Sequence, residues 1–454
     1  MSRAQSTQPN LPLTPVAIIG TAIQTAAQNV GMFIGCRFLI GFGNAWACIA
    51  APVLITELAF PTHRGPLTSL YNSTWYLGSI VAAWTTFGTF RIQSTWAWRI
   101  PSALQGIAPV VQASLIFFFP ESPRWLVDHG RDEQAIAILA KYHCGGNLSD
   151  PLVAFEYEEI KEALRLEKEA NATSSYKSIF TTPGNLKRMR VIIALAFFSQ
   201  WSGNGIVSYY LNIVLEGIGI TTEFEKNLYN GILQIYNLGT AYMGALVVER
   251  AGRRTLFLTS TAGMCVTFAI WTACSATYAK SRVFGPDGVT VISANNQAGN
   301  AVAGIIFIYY GFYNIALSPL LVSYTVEILP YRIRAKGLMV LQVCVNASLV
   351  FNQYVNPIAL GKLEWKYYIV YTIWIAFEFV YLYFTVVETK GRNGHPRPLE
   401  EIAALFDGQE VAAANAAADA RPIDDKNLSN GESSFGEKKM DAEEMHVEQV
   451  VHKL

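Results

Sequence analysis

The stretch VVERAGRRTL (residues 247–256) packs one acid and three arginines into six positions, between two long runs that carry almost no charge. Charge confined to a short segment between apolar runs is the pattern of a turn joining two membrane-spanning helices. The rest of the chain agrees. Of its 454 residues, 52% are hydrophobic and 15% charged, against about 25% charged for an ordinary soluble domain. Lysine and arginine (34) balance aspartate and glutamate (34), so no net field points to nucleic acid as a partner. The six cysteines, at 36, 48, 144, 265, 274 and 344, show no C-x-x-C spacing, and no disulfide framework, metal site or cofactor is expected. The opening MSRAQSTQPNLPLTP has no basic segment, short apolar core and cleavage site in series, so it reads as a retained N-terminus.

Ten stretches are long and apolar enough to cross a hydrocarbon core of about 30 Å: residues 13–29, 30–58, 67–90, 98–119, 191–215, 228–248, 255–278, 300–328, 337–361 and 366–387. None alternates apolar and polar residues as a lipid-exposed barrel strand does, so the fold class is all-α and polytopic. Alternate loops hold the basic residues: Arg64, the stretch 124–190, then Arg250, Arg253 and Arg254, then Arg332, Arg334 and Lys336, then Lys390 and Arg392. These loops are expected on the cytoplasmic side, with both termini, and the longest outer loop at about 280–299.

Two stretches repeat each other. ELAFPTHRG from Glu57 and EILPYRIRAKG from Glu327 each close a span with an acid, place a proline shortly after it, and carry an arginine seven residues beyond the acid. A second acid follows at a similar distance in each copy, Glu121 in PESPRW and Glu388 in VETKGR. Two related halves fit this period. Run backwards, the period places a front-half partner of ERAGRR before residue 1, so two helices and one basic loop are expected to be lacking from the front, leaving four spans there against six behind. The division expected is 1–119 for the incomplete front half, 120–190 for a linker, 191–387 for the six-helix half and 388–454 for a tail.

CRFLIGFGNA (36–45), ELAFPTHRG, PESPRWL (120–126), QWSGNGIVSYY (200–210), VVERAGRR, EILPYRIRAKG and VETKGR stand in one order along the chain. In these motifs the chain resembles the sugar porter family of the major facilitator superfamily, and within it the fungal lactose permease and hexose transporter group. The resemblance implies a major facilitator fold with about ten helices instead of twelve, and transport of a mono- or disaccharide, such as a hexose or lactose, by alternating access. A small-molecule sugar is the implied partner, joined by protons if transport is symport, and a multi-pass position in the plasma membrane is the implied location. Oligomeric state and the coupling ion are left open.

A sugar presents a ring of hydroxyls, so its site needs amides that donate and accept, and aromatic faces for the C–H surface. Carried over from the family residue by residue, Asn72, Gln200 and Asn237 are sugar-contact candidates. Asn204 stands one position from the family's usual asparagine, Tyr209 and Tyr210 follow it, and Asn314 and Asn346 fall near ligand positions in later helices. Gln200 and Asn204 are four apart, which puts them on one face of a continuous helix. The plain alternative for each amide is an interhelical hydrogen bond, worth about 0.6 kcal/mol on average, and for each tyrosine simple packing. Glu378, in IWIAFEFVYLY, lies about ten residues inside the last span, where an unpaired carboxylate tends to be protonated. It is a possible proton relay or a neutral or paired structural acid. The resemblance also gives the charges at the helix ends a gating role: Arg37, Glu57, Arg64, Glu121 and Arg124 in front, and Glu249, Arg250, Arg253, Arg254, Glu327, Arg332, Arg334 and Glu388 behind, forming ion pairs that hold one side closed.

Residues 131–143 and 156–170 have helical apolar spacing with a charged face; they read as short helices that brace the halves or lie solvated on the surface. From about 405 onward the chain is low in aromatics and rich in charge and small residues, the composition of disorder. A sugar sensor that does not transport, and an inactive truncated transporter, are the alternatives to transport. An intramembrane enzyme is disfavoured, because His63, His129, His143, His395, His446 and His452 all fall outside the spans.

Overall fold

A computed structural model describes residues 14–60, 64–173, 179–284, 291–390, 397, 402 and 405–407. Its contacts divide the chain into two units, 1–399 and 400–454, and every helix numbered below belongs to the first. The tail expected to be disordered lies, beyond 407, outside the described residues.

The front helices are α1 (Thr14–Thr25), α2 (Val30–Leu58), α3 (Arg64–Thr89), α4 (Trp96–Leu104) and α5 (Ile107–Leu115). Asn29 starts α2, its side-chain oxygen accepting the Met32 amide at 2.7 Å, as an N-cap does for one of the orphan donors of a first turn. This cap sets a correction to the first expected span, 13–29: the described helix is only 12 residues long, or about 18 Å at 1.5 Å per residue. The expected span 98–119 is also divided. Pro101 and Pro109 each lack an amide donor, and the helical path slackens at 105–106 without leaving right-handed backbone angles. Gln24 of α1 donates to Ser102 of α4 at 3.3 Å in a buried position, tying the two elements together.

Two short helices and a longer one follow: α6 (Pro123–Asp128), α7 (Asp132–His143) and α8 (Pro151–Thr173). Leu139, Ala140 and Val153 form a small buried cluster between α7 and α8. His143 closes it. Its Nδ1 meets Glu156 Oε2 at 2.5 Å and its Nε2 donates to the Leu58 carbonyl at 3.2 Å, since a carbonyl can only accept. Both side chains are nearly unexposed, at 3% and 1%, so these helices are not merely solvated. They are pinned to the end of α2, and α8 also packs on a rear helix, α14 (Tyr331–Leu363).

The other rear helices are α9 (Pro183–Trp201), α10 (Asn204–Gly217), α11 (Glu223–Ala251), α12 (Arg253–Lys280), α13 (Asn296–Ile328) and α15 (Lys366–Thr385). A two-stranded antiparallel pair, β1 (Val283–Phe284) and β2 (Val291–Ser293), occupies the loop between α12 and α13. Among the described residues, six segments are long and apolar enough to cross a membrane: Trp96–Phe118, Pro183–Gly217, Arg253–Lys280, Asn296–Ile328, Ile333–Leu363 and Lys366–Thr385. Within the rear half the densest packing joins α12 to α13 and α15, α11 to α13, and α9 to α14. Glycine allows the closest approaches: a Cβ on Gly263 would sit 2.2 Å from the Phe312 ring of α13. Front and rear helices meet chiefly where α3 lies along α11.

Candidate functional site

The segment QWSGNG breaks a membrane-spanning helix near its middle. Gly203 takes φ +104°, a left-handed value that glycine alone adopts without strain, so α9 stops at Trp201 and α10 starts at Asn204. Gln200 and Asn204 therefore do not share a face of one helix, a correction to the four-residue spacing argument. Carbonyls released at such a break need partners, because an unsatisfied group in hydrocarbon costs several kcal/mol. Here α13 and α14 supply them. Tyr313 OH donates to Ser199 O at 2.9 Å, Asn352 Nδ2 to Gln200 O at 2.7 Å, Tyr309 OH to Ser202 O at 2.8 Å and Tyr310 OH to Asn204 O at 3.1 Å.

Side chains of the break join the same collar. Asn204 Nδ2 donates to Tyr313 OH at 2.9 Å, and Ser208 Oγ lies 2.8 Å from Tyr310 OH. Gln200, partly exposed, reaches Ser199 Oγ at 3.3 Å. Tyr210 leaves helical geometry and donates to the Gln353 carbonyl of α14 at 2.9 Å, while Tyr209 is exposed.

One residue beyond Tyr313 a second polar group forms. Asn314 Nδ2 donates to Asn237 Oδ1 of α11 at 3.2 Å and to Thr240 Oγ1 at 2.9 Å, and its Oδ1 accepts from Tyr76 OH of α3 at 2.7 Å. Asn237 and Asn314 are 2% and 0% exposed, so this cluster is closed. All three helices contribute from near their midpoints. A cavity lies elsewhere, at the end of the bundle opposite the Arg253 turn. It encloses about 400 Å3 between Gly219, Glu225, Tyr229, Asn296 and Asn300.

Asn346 stands apart, exposed on α14 and bonded to Gln342 of its own helix at 3.3 Å. The side chains of Asn72, Arg64, Glu249, Arg250 and Arg332 lie outside the described residues. Glu378 of α15 has no exposed surface, and neither carboxyl oxygen has a hydrogen-bond partner among the described residues. The indole of Trp374, one turn earlier, is a neighbouring donor that falls short of hydrogen-bonding geometry. Tyr76, Thr240, Tyr309, Tyr310, Tyr313 and Asn352 were not singled out from sequence, nor was Asn356, whose buried Oδ1 accepts from Tyr367 OH and Tyr371 OH at 2.9 Å each. Asn352 and Asn356, polar and one turn apart in FNQYVN, carried the clearest signal, since polar residues are rare within spans.

At the Arg253 end the repeat has a physical counterpart. Ser122 Oγ donates to Glu57 and Thr389 Oγ1 donates to Glu327: in each copy the hydroxyl following the second acid binds the first. Arg253 reaches Glu327 Oε1 at 2.9 Å through Nη2 and at 3.2 Å through Nε. Glu388 accepts the backbone amides of Arg253 and Arg254 at 2.9 and 3.0 Å, so it caps the positive end of α12. Gly252 (φ +83°) makes room, as a Cβ there would meet Glu388 Oε2 at 2.8 Å. Arg254 Nη2 donates to the Tyr383 carbonyl at 2.9 Å. Arg334 reaches the Leu329 carbonyl at 3.4 Å. Arg37 lies over the ring of Phe33, 5.2 Å from its centroid, and Glu121 and Arg124 have interactions of their own. Glu388→Ala is expected to lower stability by about 1–2 kcal/mol through loss of this cap. Thermal melting in detergent reads it, with Glu388→Gln, which keeps an acceptor, losing less.

Residues 13–406 match the model of a family described as sugar (and other) transporter. The chain belongs to this family. The transporter is 29% identical over 389 residues to the MFS-type transporter oryC of Aspergillus oryzae, covering 84% of this chain and 69% of the relative. It is 27% identical over 401 residues to the hexose transporter HXT11 of Saccharomyces cerevisiae, covering 87% of this chain and 67% of the relative. It is 29% identical over 399 residues to the high-affinity glucose transporter of Kluyveromyces lactis (85% and 69%). Among solved structures, the proton:xylose symporter XylE bound to 6-bromo-6-deoxy-D-glucose aligns with TM-score 0.66 at 22% identity, covering 88% of this chain and 82% of that one. The inward-open conformation of XylE from E. coli aligns with TM-score 0.68 at 21% identity (88% and 83%). The transporter thus has the major facilitator fold and is an integral, multi-pass membrane protein.

Proposed function

We propose that the chain carries a mono- or disaccharide of the hexose or lactose type across the plasma membrane by alternating access, with both termini cytoplasmic. The observation that carries this reading is the convergence of Asn237, Asn314 and Tyr76, from three helices, close to the middle of their spans. Amides placed there suit a ring of hydroxyls, which offers donors and acceptors together. Gln200 and Asn204, on the two sides of the helix break, are the further contacts. Rocking of the halves opens the closed cluster to one side or the other, and the Glu327–Arg253 and Glu388 contacts, on the cytoplasmic face in this reading, hold that side shut.

The test is uptake of radiolabelled D-glucose, D-xylose and lactose by the chain in a yeast strain lacking its own hexose transporters. Saturable uptake of at least one sugar is expected. Normal delivery to the membrane with no uptake of any of them would sink the reading. The same assay with an uncoupler decides coupling: accumulation that collapses assigns proton symport, for which buried Glu378 is the candidate carrier in this chain.

A further inference from the structure

We propose that the Tyr76 hydroxyl stands in for a sugar hydroxyl on Asn314, so that a sugar hydroxyl reaches Asn314 only by displacing it. The inference rests on the transport reading above. Asn314 has no exposed surface, and both its amide hydrogens are spent, on Asn237 and Thr240. A ligand therefore reaches its Oδ1 only if a neighbour leaves. Asn237 and Thr240 stand on successive turns of α11, which packs so tightly on α13 that a Cβ on Gly244 would come within 2.6 Å of the Asn314 carbonyl. These two stay. Tyr76 comes from α3, on the other side of the junction between front and rear helices, and is only partly buried.

The exchange is chemically even. A phenol and a sugar alcohol each present one O–H to the same acceptor. With tyrosine in place, sugar binding trades one hydrogen bond for another. With the hydroxyl removed, Asn314 Oδ1 is left without that donor in the free protein, and sugar binding supplies one outright. Deleting a polar group from the site is thus expected to tighten binding, the reverse of its effect if Tyr76 touched the sugar directly.

The experiment is equilibrium binding of tritiated D-glucose to the purified full chain in lipid nanodiscs. Tyr76→Phe is expected to bind about threefold to tenfold tighter than wild type, the equivalent of one net hydrogen bond. Tyr76→Leu, which loses the same donor with a smaller side chain, is expected to move in the same direction. Competition with the monodeoxy-D-glucoses adds a readout that general loosening would not change: the analogue lacking the hydroxyl that reaches Asn314 leaves Tyr76 bonded there, so it loses nothing in wild type and gains nothing from Tyr76→Phe. Unchanged or weaker glucose binding by Tyr76→Phe, or an equal gain for every deoxy analogue, overturns the displacement while leaving transport intact. No glucose binding by wild type or either variant, with no sugar taken up in cells, overturns both.

Discussion

Gly203→Ala is expected to unfold the middle of the bundle rather than merely slow the protein. Two costs act together. Placing an L-residue at φ +104° costs about 1–2 kcal/mol. The new Cβ would also lie 2.5 Å from Phe268 Cε2 and 3.0 Å from its Cζ. Phe268 is fully buried against Trp271, Tyr309 and Tyr371, with ring centroids 4.7, 5.4 and 5.8 Å away, so it has nowhere to turn. Overpacking of this kind adds about 1–3 kcal/mol. Straightening the break to relieve either cost pulls Ser199, Gln200 and Ser202 away from the three side chains that cap their carbonyls. The measurement is the thermal midpoint and the monodisperse fraction in detergent, beside Gly217→Ala, where a Cβ meets nothing within 4 Å and no more than about 0.5 kcal/mol is expected. A Gly203→Ala protein that melts with wild type would show that the helix does not break there.

What could be read from the chain, and what could not, divides along a physical line. Spans and repeat were legible because each is a long or recurrent pattern: apolar runs tens of residues long, and an acid, proline and arginine at fixed offsets. The repeat even anticipated paired contacts, since Ser122 to Glu57 and Thr389 to Glu327 are separated by 65 and 62 residues. The break at 202–203 was not legible. It depends on one backbone angle and on tyrosines more than a hundred residues away, and the sequence QWSGNG reads equally well as an uninterrupted helix with two tolerated glycines. Tyr76 escaped for a related reason. Among the tyrosines of the spans nothing local distinguishes it, and its importance comes from an acceptor 238 residues further on. Likewise His143 read as one more residue outside the membrane, until Glu156 and the Leu58 carbonyl took both ring nitrogens.

Asn314→Leu is expected to separate the two readings left open for the buried amides, because they predict different quantities. The substitution keeps the branched shape of the side chain, at a larger volume, and removes the partner of Tyr76, Asn237 and Thr240 at once. If these are only interhelical bonds, three of them at about 0.6 kcal/mol each amount to roughly 2 kcal/mol of stability, and the protein that reaches the membrane transports with an unchanged KM. If Asn314 holds a sugar hydroxyl, Asn237 also loses the neighbour that orients it. Buried donors and acceptors left unpaired at a polar site discriminate far more strongly than lost packing does. The KM for sugar is then expected to rise about a hundredfold, at a maximal rate limited by the same conformational steps as before. Asn346→Leu is the control: Asn346 is exposed and bonded only within α14, so the same change of chemistry there should leave both quantities within about twofold of wild type. A hundredfold effect at Asn346, or none at Asn314, would move the site away from the α3, α11 and α13 junction, since midspan amides bind sugar only where two moving halves can close on it.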